Sequence, residues 1–228
     1  MSKRLSKEEM EQDLLIEYSS RFMHFYQNNK SAVIGGSIGF VLVIGLVIGY
    51  FMYSAQQEEE ARNLMGIAET YYSQGELDKA LYGDDEELTA GFIQIANNYS
   101  NTDAGNLANY YAAVVHFEME NYESALEFIN RFSPPDGILG VAPIAFHAVV
   151  LMEIEDFENS AEKYEDAAEW NVNDVTTPEN YYFAAEAYLE AGNSEKADQL
   201  LSTILDEYPG SQYAVEAQRL KGFLAVNS

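Results

Sequence analysis

The sequence predicts an all-α protein: a single N-terminal transmembrane helix, then a solenoid of three to four helical hairpins and a C-terminal capping helix. Three observations favour this fold class. An uncharged run separates Lys30 from Glu58, small and aromatic residues recur beyond it at a helical-hairpin spacing, and no segment shows strand-like alternation. We therefore expect a head over 1–30, a transmembrane helix over 31–55 and a repeat domain over 56–228.

The predicted span is the apolar stretch 32–53, whose 22 residues would form a helix of about 33 Å, enough to cross a hydrocarbon core of about 30 Å. A cleaved signal peptide is disfavoured, because its apolar region would be shorter than this one. Its cleavage site would also need a small residue at the position that Tyr53 occupies. A buried soluble helix is the other alternative. The aromatic residues Tyr50, Phe51 and Tyr53 at one end favour a membrane interface instead.

Basic residues predict the orientation of this span. The first thirty residues contain five of them, whereas the next thirty beyond the span offer only Arg62 and Lys79. Since Lys and Arg are retained on the cytoplasmic side, we expect a cytoplasmic N-terminus and a repeat domain outside the cytoplasm. The five basic residues of the head are Lys3, Arg4, Lys7, Arg21 and Lys30.

Four glycines of the span form two G-x-x-x-G pairs and fall within an arc of about 120° on a helix. Such a face lets another helix approach closely, either a copy of this chain or a different membrane protein. Glycine is also simply common in membrane helices, and the sequence leaves both interpretations open. The four residues are Gly35, Gly39, Gly45 and Gly49.

The chain carries a formal charge of -26, from 38 acidic and 12 basic residues. The head holds five of each, which leaves 33 acidic against seven basic residues for the rest. Nucleic acid and anionic lipid surfaces are excluded as partners of the repeat domain, because phosphate binding requires clustered Lys and Arg. The acidity fits either a saline environment or a basic partner. The absence of cysteine excludes disulfides and thiol chemistry.

No pattern in the chain predicts an enzyme, a cofactor or a metal. The acidic run 84–87 lacks the spacing with which a calcium loop surrounds its ion. His24 lies in the head, and His116 and His147 are flanked by apolar residues, which favours packing. The single tryptophan, Trp170, is interpreted as structural.

The clearest repeat begins at Tyr181. Small residues at 184, 185 and 197 would let two antiparallel helices touch, while larger residues fill the groove between them. Thr177 is expected to cap the first helix and Pro178 to open it. The spacing is that of the tetratricopeptide template, formed here by Tyr181, Ala184, Ala185, Tyr188, Gly192, Ala197, Leu201, Ile204 and Pro209.

Earlier copies are looser but recognisable. The small residues Ala125, Ser160 and Ala197 are 35 and 37 residues apart, close to the expected period of about 34. A degenerate opening unit is expected from Glu59, with its turn over 74–81. Linkers are expected over 133–137 and 171–177, and a terminal helix over 211–225 with Tyr213, Ala217, Leu220 and Leu224 on one stripe.

The first helices of such repeats line the concave side of the array, which suits an extended peptide. No Lys or Arg occurs over 105–120, 141–153 or 178–191, so a carboxylate-binding clamp is excluded. Core packing is the alternative interpretation of these residues. The predicted concave surface is Tyr110, Val114 and Phe117, then Ala145, Val149 and Met152, then Tyr182, Glu186 and Leu189.

The order of segments resembles a known family. A head ending in Phe25-Tyr26-Gln27-Asn28-Asn29-Lys30, a glycine-rich span, an exit helix with Glu60-Ala61-Arg62 and the repeats together resemble the ancillary subunit of the bacterial Sec translocon. The stretch 98–108 and the ending Glu207-Tyr208-Pro209-Gly210-Ser211 are similar to the repeat proteins grouped with it. The resemblance implies an inner-membrane protein with a periplasmic repeat domain that associates with the translocon and with periplasmic chaperones.

Two functions are therefore expected, neither of them catalytic. The first is a membrane-anchored adaptor that holds translocon subunits, chaperones or emerging secreted chains at the periplasmic face. The second is a scaffold for envelope assembly or cell division that forms a homo-oligomer through its glycine face.

Overall fold

The computed structural model describes the backbone of residues 7–227 and the side chains of residues 16–225. Backbone contacts divide the chain into two compact units, Met1–Gln56 and Gln57–Ser228. Lys3 and Arg4, which contribute to the predicted orientation, lie outside the described residues.

The first unit is helical. Helix α1 spans Lys7–Asn28, and α2 spans Lys30–Ser73 over 44 residues. An 18-residue window of α2 has a mean hydropathy of 2.5, none of it is buried, and the helix is long enough to cross a membrane. The helix continues past 55, the end of the predicted span, into the exit helix expected with Glu60-Ala61-Arg62, and there the Arg62 side chain pairs with Glu58 one turn earlier, at 2.7 Å.

The second unit opens with the buried residues Ala61, Met65, Ala68 and Tyr71 of α2. After the turn come α3 (Leu77–Tyr82), β1 (Gly83–Asp84), β2 (Thr89–Ala90) and α4 (Phe92–Asn98). The two strands pair antiparallel, so the prediction that this part of the chain is wholly helical was wrong. Two-residue strands are too short to show alternation. The hairpin replaces the middle of the second helix of the opening unit.

Three helical pairs follow the hairpin. They are α5 (Asp103–Glu118) with α6 (Tyr122–Arg131), α7 (Ile138–Glu153) with α8 (Phe157–Trp170), and α9 (Thr176–Glu190) with α10 (Ser194–Glu207). The last helix, α11, spans Gln212–Asn227 and packs on α10 and α9. The three small residues that define the period, Ala125, Ser160 and Ala197, are completely buried, as expected where two helices touch.

The turns between paired helices share one backbone conformation. Gly75, Glu120, Glu155 and Gly192 all have positive φ, between 59° and 78°. The residue that follows each of these four donates its N–H to the carbonyl of the residue five positions before it in the sequence. Asn121, for example, donates to the His116 carbonyl at 2.8 Å. This is the pattern of a left-handed helix end, and its recurrence shows that the four turns are structurally equivalent.

The start of α9 differs from the prediction. The helix begins at Thr176, so Thr177 is not its cap. The carboxamide oxygen of Asn173 accepts the N–H groups of Val175 and Thr176, each at 2.9 Å, and satisfies the helix end instead. The buried Thr177 hydroxyl donates to the Ala168 carbonyl at 3.0 Å and ties α9 to α8.

Candidate protein-interaction surface

The nine residues predicted to face inward lie on α5, α7 and α9, and we call them the first-helix surface. Each is half-buried, so each packs against neighbours and still presents part of its side chain to solvent. The set comprises Tyr110, Val114 and Phe117 of α5, Ala145, Val149 and Met152 of α7, and Tyr182, Glu186 and Leu189 of α9.

The α5 members reach α7 through a residue that the sequence reasoning missed. The ring of Phe146 lies 5.8 Å from that of Tyr110 and 5.4 Å from that of Phe117, both edge-on. Such contacts stabilise aromatic pairs beyond simple burial. From the sequence we placed Ala145 on this surface. Phe146 is its immediate neighbour in the sequence, and this adjacency could have identified it.

The α7 and α9 members share a second cluster. Val149, Met152, Tyr182 and Leu189 all pack against one set of buried residues, which includes Tyr188 and Leu201. The Tyr182 ring also lies 5.5 Å from that of Tyr213 on α11. The structure thus brings together the α5 members with α7, and the α7 members with α9; among the described residues no ring contact links Tyr110 or Phe117 to Tyr182.

Carboxylates lie among these rings. Burial and a hydrogen bond to Glu186 raise the pKa of Tyr182 to about 12. The Tyr72 hydroxyl donates to Glu118 at 2.5 Å, and this bond, with burial, raises the pKa of Tyr72 to about 12 as well. Both phenols therefore stay protonated at neutral pH. Because α5, α7 and α9 carry no Lys or Arg, this surface combines aromatic and aliphatic side chains with negative charge.

The two histidines of these helices have different surroundings. His116 is buried and stacks on Phe128 with ring centres 5.4 Å apart, which confirms packing, and burial lowers its pKa. His147 is half-buried beside a groove that also includes Lys163. Burial first, and then the Lys163 charge, lower the pKa of His147 to about 4, so it is neutral at pH 7.

The glycine face of α2 is exposed within its own unit. At Gly35, Gly39, Gly45 and Gly49, a Cβ atom would meet nothing within 4 Å. The face has room for a neighbouring helix, and its role as a contact surface stays a prediction.

The acidic run 84–87 forms the tip of the β-hairpin. The Asp84 carboxylate accepts the N–H groups of Glu86 and Glu87 and pairs with Lys79 at 3.0 Å, while Glu87 accepts from the Tyr71 hydroxyl at 2.8 Å. The Asp84 and Glu87 carboxylates are thus engaged by the hairpin backbone and by side chains of α3 and α2. Among the side chains of residues 16–225, no group of three or more His, Asp or Glu is arranged to hold a metal ion.

The last helical pair matches the model of a known family. The tetratricopeptide repeat family model matches residues 180–211, which cover most of α9, all of α10 and the turn that follows. No curated protein sequence matches the chain significantly. The final helical pair is therefore similar to a tetratricopeptide repeat, an architecture that typically mediates contacts between proteins and carries no catalytic group.

Proposed function

We propose that this protein is a membrane-anchored, non-catalytic adaptor that binds other polypeptides through its first-helix surface. One observation carries the proposal: half-buried aromatic and aliphatic side chains recur on α5, α7 and α9, the first helix of each pair, and these three helices contain no Lys or Arg. A surface that is apolar, partly exposed and repeated along an array is suited to an extended partner.

The arrangement of the pairs supports an open stack. Each helix from α5 to α11 packs on the next one along the chain, and equivalent turns recur at Glu120, Glu155 and Gly192. We propose that the pairs stack as a solenoid and that α11 caps it. In support, Ala214 and Ala217 of α11 are buried, while Val215 and Phe223 are exposed on the helix.

For location, we propose that α2 crosses the bacterial inner membrane once, with the head in the cytoplasm and residues 56–228 in the periplasm. The hydropathy of α2 and the bias of basic residues toward the head support this orientation. The resemblance in segment order supports the Sec translocon, periplasmic chaperones or emerging secreted chains as partners.

The test is affinity purification of the intact chain from native membranes after mild crosslinking, at near-native expression. Translocon subunits should be recovered with the wild-type chain. Val149→Asp together with Met152→Asp should reduce this recovery, because a charge on each residue opposes apolar contact. Glu162→Gln on the exposed side of α8 is the matched control and should recover the same proteins. Absence of translocon subunits from the wild-type sample would contradict the assignment.

A self-associating envelope scaffold is the second candidate, favoured by the open glycine face of α2. Gly39→Leu with Gly45→Leu should then abolish crosslinking between copies of the chain. Under the adaptor proposal, the same pair would instead remove contact with a different membrane protein. Ile44→Leu with Val47→Leu, on the opposite side of the helix, is the control.

A further inference from the structure

Helix α1 has two contrasting halves over residues 16–28, the part of it whose side chains the structure describes. On a helix, its large apolar side chains and Ser19 fall within an arc of about 180°. Every other position of this stretch is polar and lies in the opposite half. The apolar half contains Ile16, Tyr18, Phe22, Met23, Phe25 and Tyr26. The polar half contains Glu17, Ser20, Arg21, His24, Gln27 and Asn28.

The apolar half of α1 is open to its surroundings. Phe22 is 66% exposed and Phe25 is 58% exposed, although phenylalanine is usually buried in folded proteins. The polar group of this half is already satisfied, because the Ser19 hydroxyl donates to the Ile16 carbonyl at 2.9 Å. A contiguous exposed apolar face of this kind marks a contact surface.

The polar half is bonded along the helix. The Arg21 guanidinium pairs with the Glu17 carboxylate at 2.6 Å, and the Asn28 carboxamide lies 3.1 Å from His24 Nδ1, within hydrogen-bond distance. Both pairs are one turn apart and exposed. Because the charges of Glu17 and Arg21 cancel, this half gives the helix no strong attraction to a charged surface. Apolar contact remains as the force that would hold the helix to a partner.

The place of α1 in the chain limits what can cover its apolar half. The helix ends at Asn28, and α2 begins at Lys30. Asn29, between them, donates its backbone N–H and its side-chain amide to the Phe25 carbonyl, at 3.0 and 3.1 Å, which closes the end of α1. The apolar stretch of α2 starts at Ala32, and the four residues from Asn28 reach at most about 14 Å. With α2 across a bilayer, the end of α1 therefore stays at the membrane surface.

We propose that α1 lies in the membrane interface, with its apolar half among the lipid headgroups and upper acyl chains and its polar half toward water. The inference rests on the proposed crossing of the membrane by α2. Continuity with that span selects the lipid surface as the occupant, and the rings of Tyr18 and Tyr26 suit the headgroup level. A coiled coil with a second copy would use a narrower apolar seam than half of the helix.

The test uses the full-length chain in nanodiscs of zwitterionic phosphatidylcholine that are large enough for two copies. The chain has no cysteine, so one introduced cysteine carries a single nitroxide label. Ser19→Cys places the label in the apolar half, and Ser20→Cys is the matched control in the polar half. Electron paramagnetic resonance then compares collisions of the label with oxygen, which concentrates in lipid, and with a water-soluble nickel complex.

The label at 19 should collide mainly with oxygen and the label at 20 mainly with the nickel complex. A cysteine scan over 16–28 should repeat this contrast with a period of about 3.6 residues. Phe22→Asp with Phe25→Asp should lower the oxygen-to-nickel ratio at 19 to the value at 20, because buried carboxylates oppose insertion. Arg21→Gln with His24→Gln, in the polar half, should leave the ratio at 19 unchanged.

A label at Leu46, inside the apolar stretch of α2, separates this inference from the proposed span. If the Leu46→Cys label meets oxygen while the labels at 19 and 20 meet the nickel complex equally, the inference is overturned and the span stands. If the label at 46 also meets the nickel complex, the span and the inference both fail. Dipolar broadening between copies at 19, with neither reagent reaching the label, would reveal a helix pair and would also overturn the inference.

Discussion

Replacing Glu120 and Glu155 by glycine should stabilise the protein. Both residues hold left-handed backbone at a helical turn, with φ of 59° and 61°, where the equivalent turns use Gly75 and Gly192. A side chain in this conformation costs about 1–2 kcal/mol. Glycine relieves that strain but makes the unfolded chain more flexible, which costs about 0.5–1 kcal/mol. The net gain is about 0.5–1 kcal/mol per site.

Thermal unfolding followed by far-UV circular dichroism measures this gain. The two turns belong to different helical pairs, so their effects should add to about 1–2 kcal/mol, a rise in Tm of about 2–8 °C. Loss of two carboxylates from an acidic chain is itself stabilising, and Glu120→Gln with Glu155→Gln isolates that contribution. If the glycine and glutamine pairs unfold at the same temperature, the argument from backbone strain is refuted.

Three further predictions concern packing, a buried hydrogen bond and pH. Gly105→Ala should lower the free energy of unfolding by about 2 kcal/mol or more in urea, because the new Cβ would lie 1.9 Å from the Tyr99 carbonyl oxygen. Gly66→Ala, which has open space around it, should raise the free energy of unfolding by about 0.5–1 kcal/mol in the same assay. Thr177→Val should destabilise by about 1–3 kcal/mol in the same assay, since it leaves a buried carbonyl without its donor. Burial lowers the pKa of His147 from 6.5 to about 4, so the unfolded chain takes up this proton first and stability falls as pH drops through that window. Consequently His147→Gln should lose less stability than wild type between pH 7 and pH 5, and an equal loss would contradict the lowered pKa of His147.

The helical pairs were predictable because their signal is local and repeated. The spacing of Ala125, Ser160 and Ala197 identified three helix contacts, and each of these residues is completely buried. The linker 133–137 was also predictable, because two adjacent prolines and a glycine within five residues disfavour a helix; α6 ends at Arg131 and α7 begins at Ile138.

Other features depend on contacts that are distant in sequence. The β-hairpin has strands of two residues, which carry no periodicity, and it is held by Asp84 and Lys79. The groove beside His147 arises where the linker before α7 meets the end of α8, 35 residues along the chain from Pro135 to Trp170. Periodicity could mark Tyr110 and Phe117 as inward candidates, but only the packing of α5 on α7 shows that Phe146 joins them.

Site-specific photocrosslinking in native membranes tests the central claim that the first-helix surface binds another polypeptide. A photoreactive residue at Val149, half-buried on α7, should form an adduct with a discrete polypeptide that mass spectrometry identifies as a translocon subunit, a chaperone or a secreted chain. The same residue at Glu195, exposed on α10, should form none. Absence of an adduct at Val149, or equal adducts at both positions, would contradict the account.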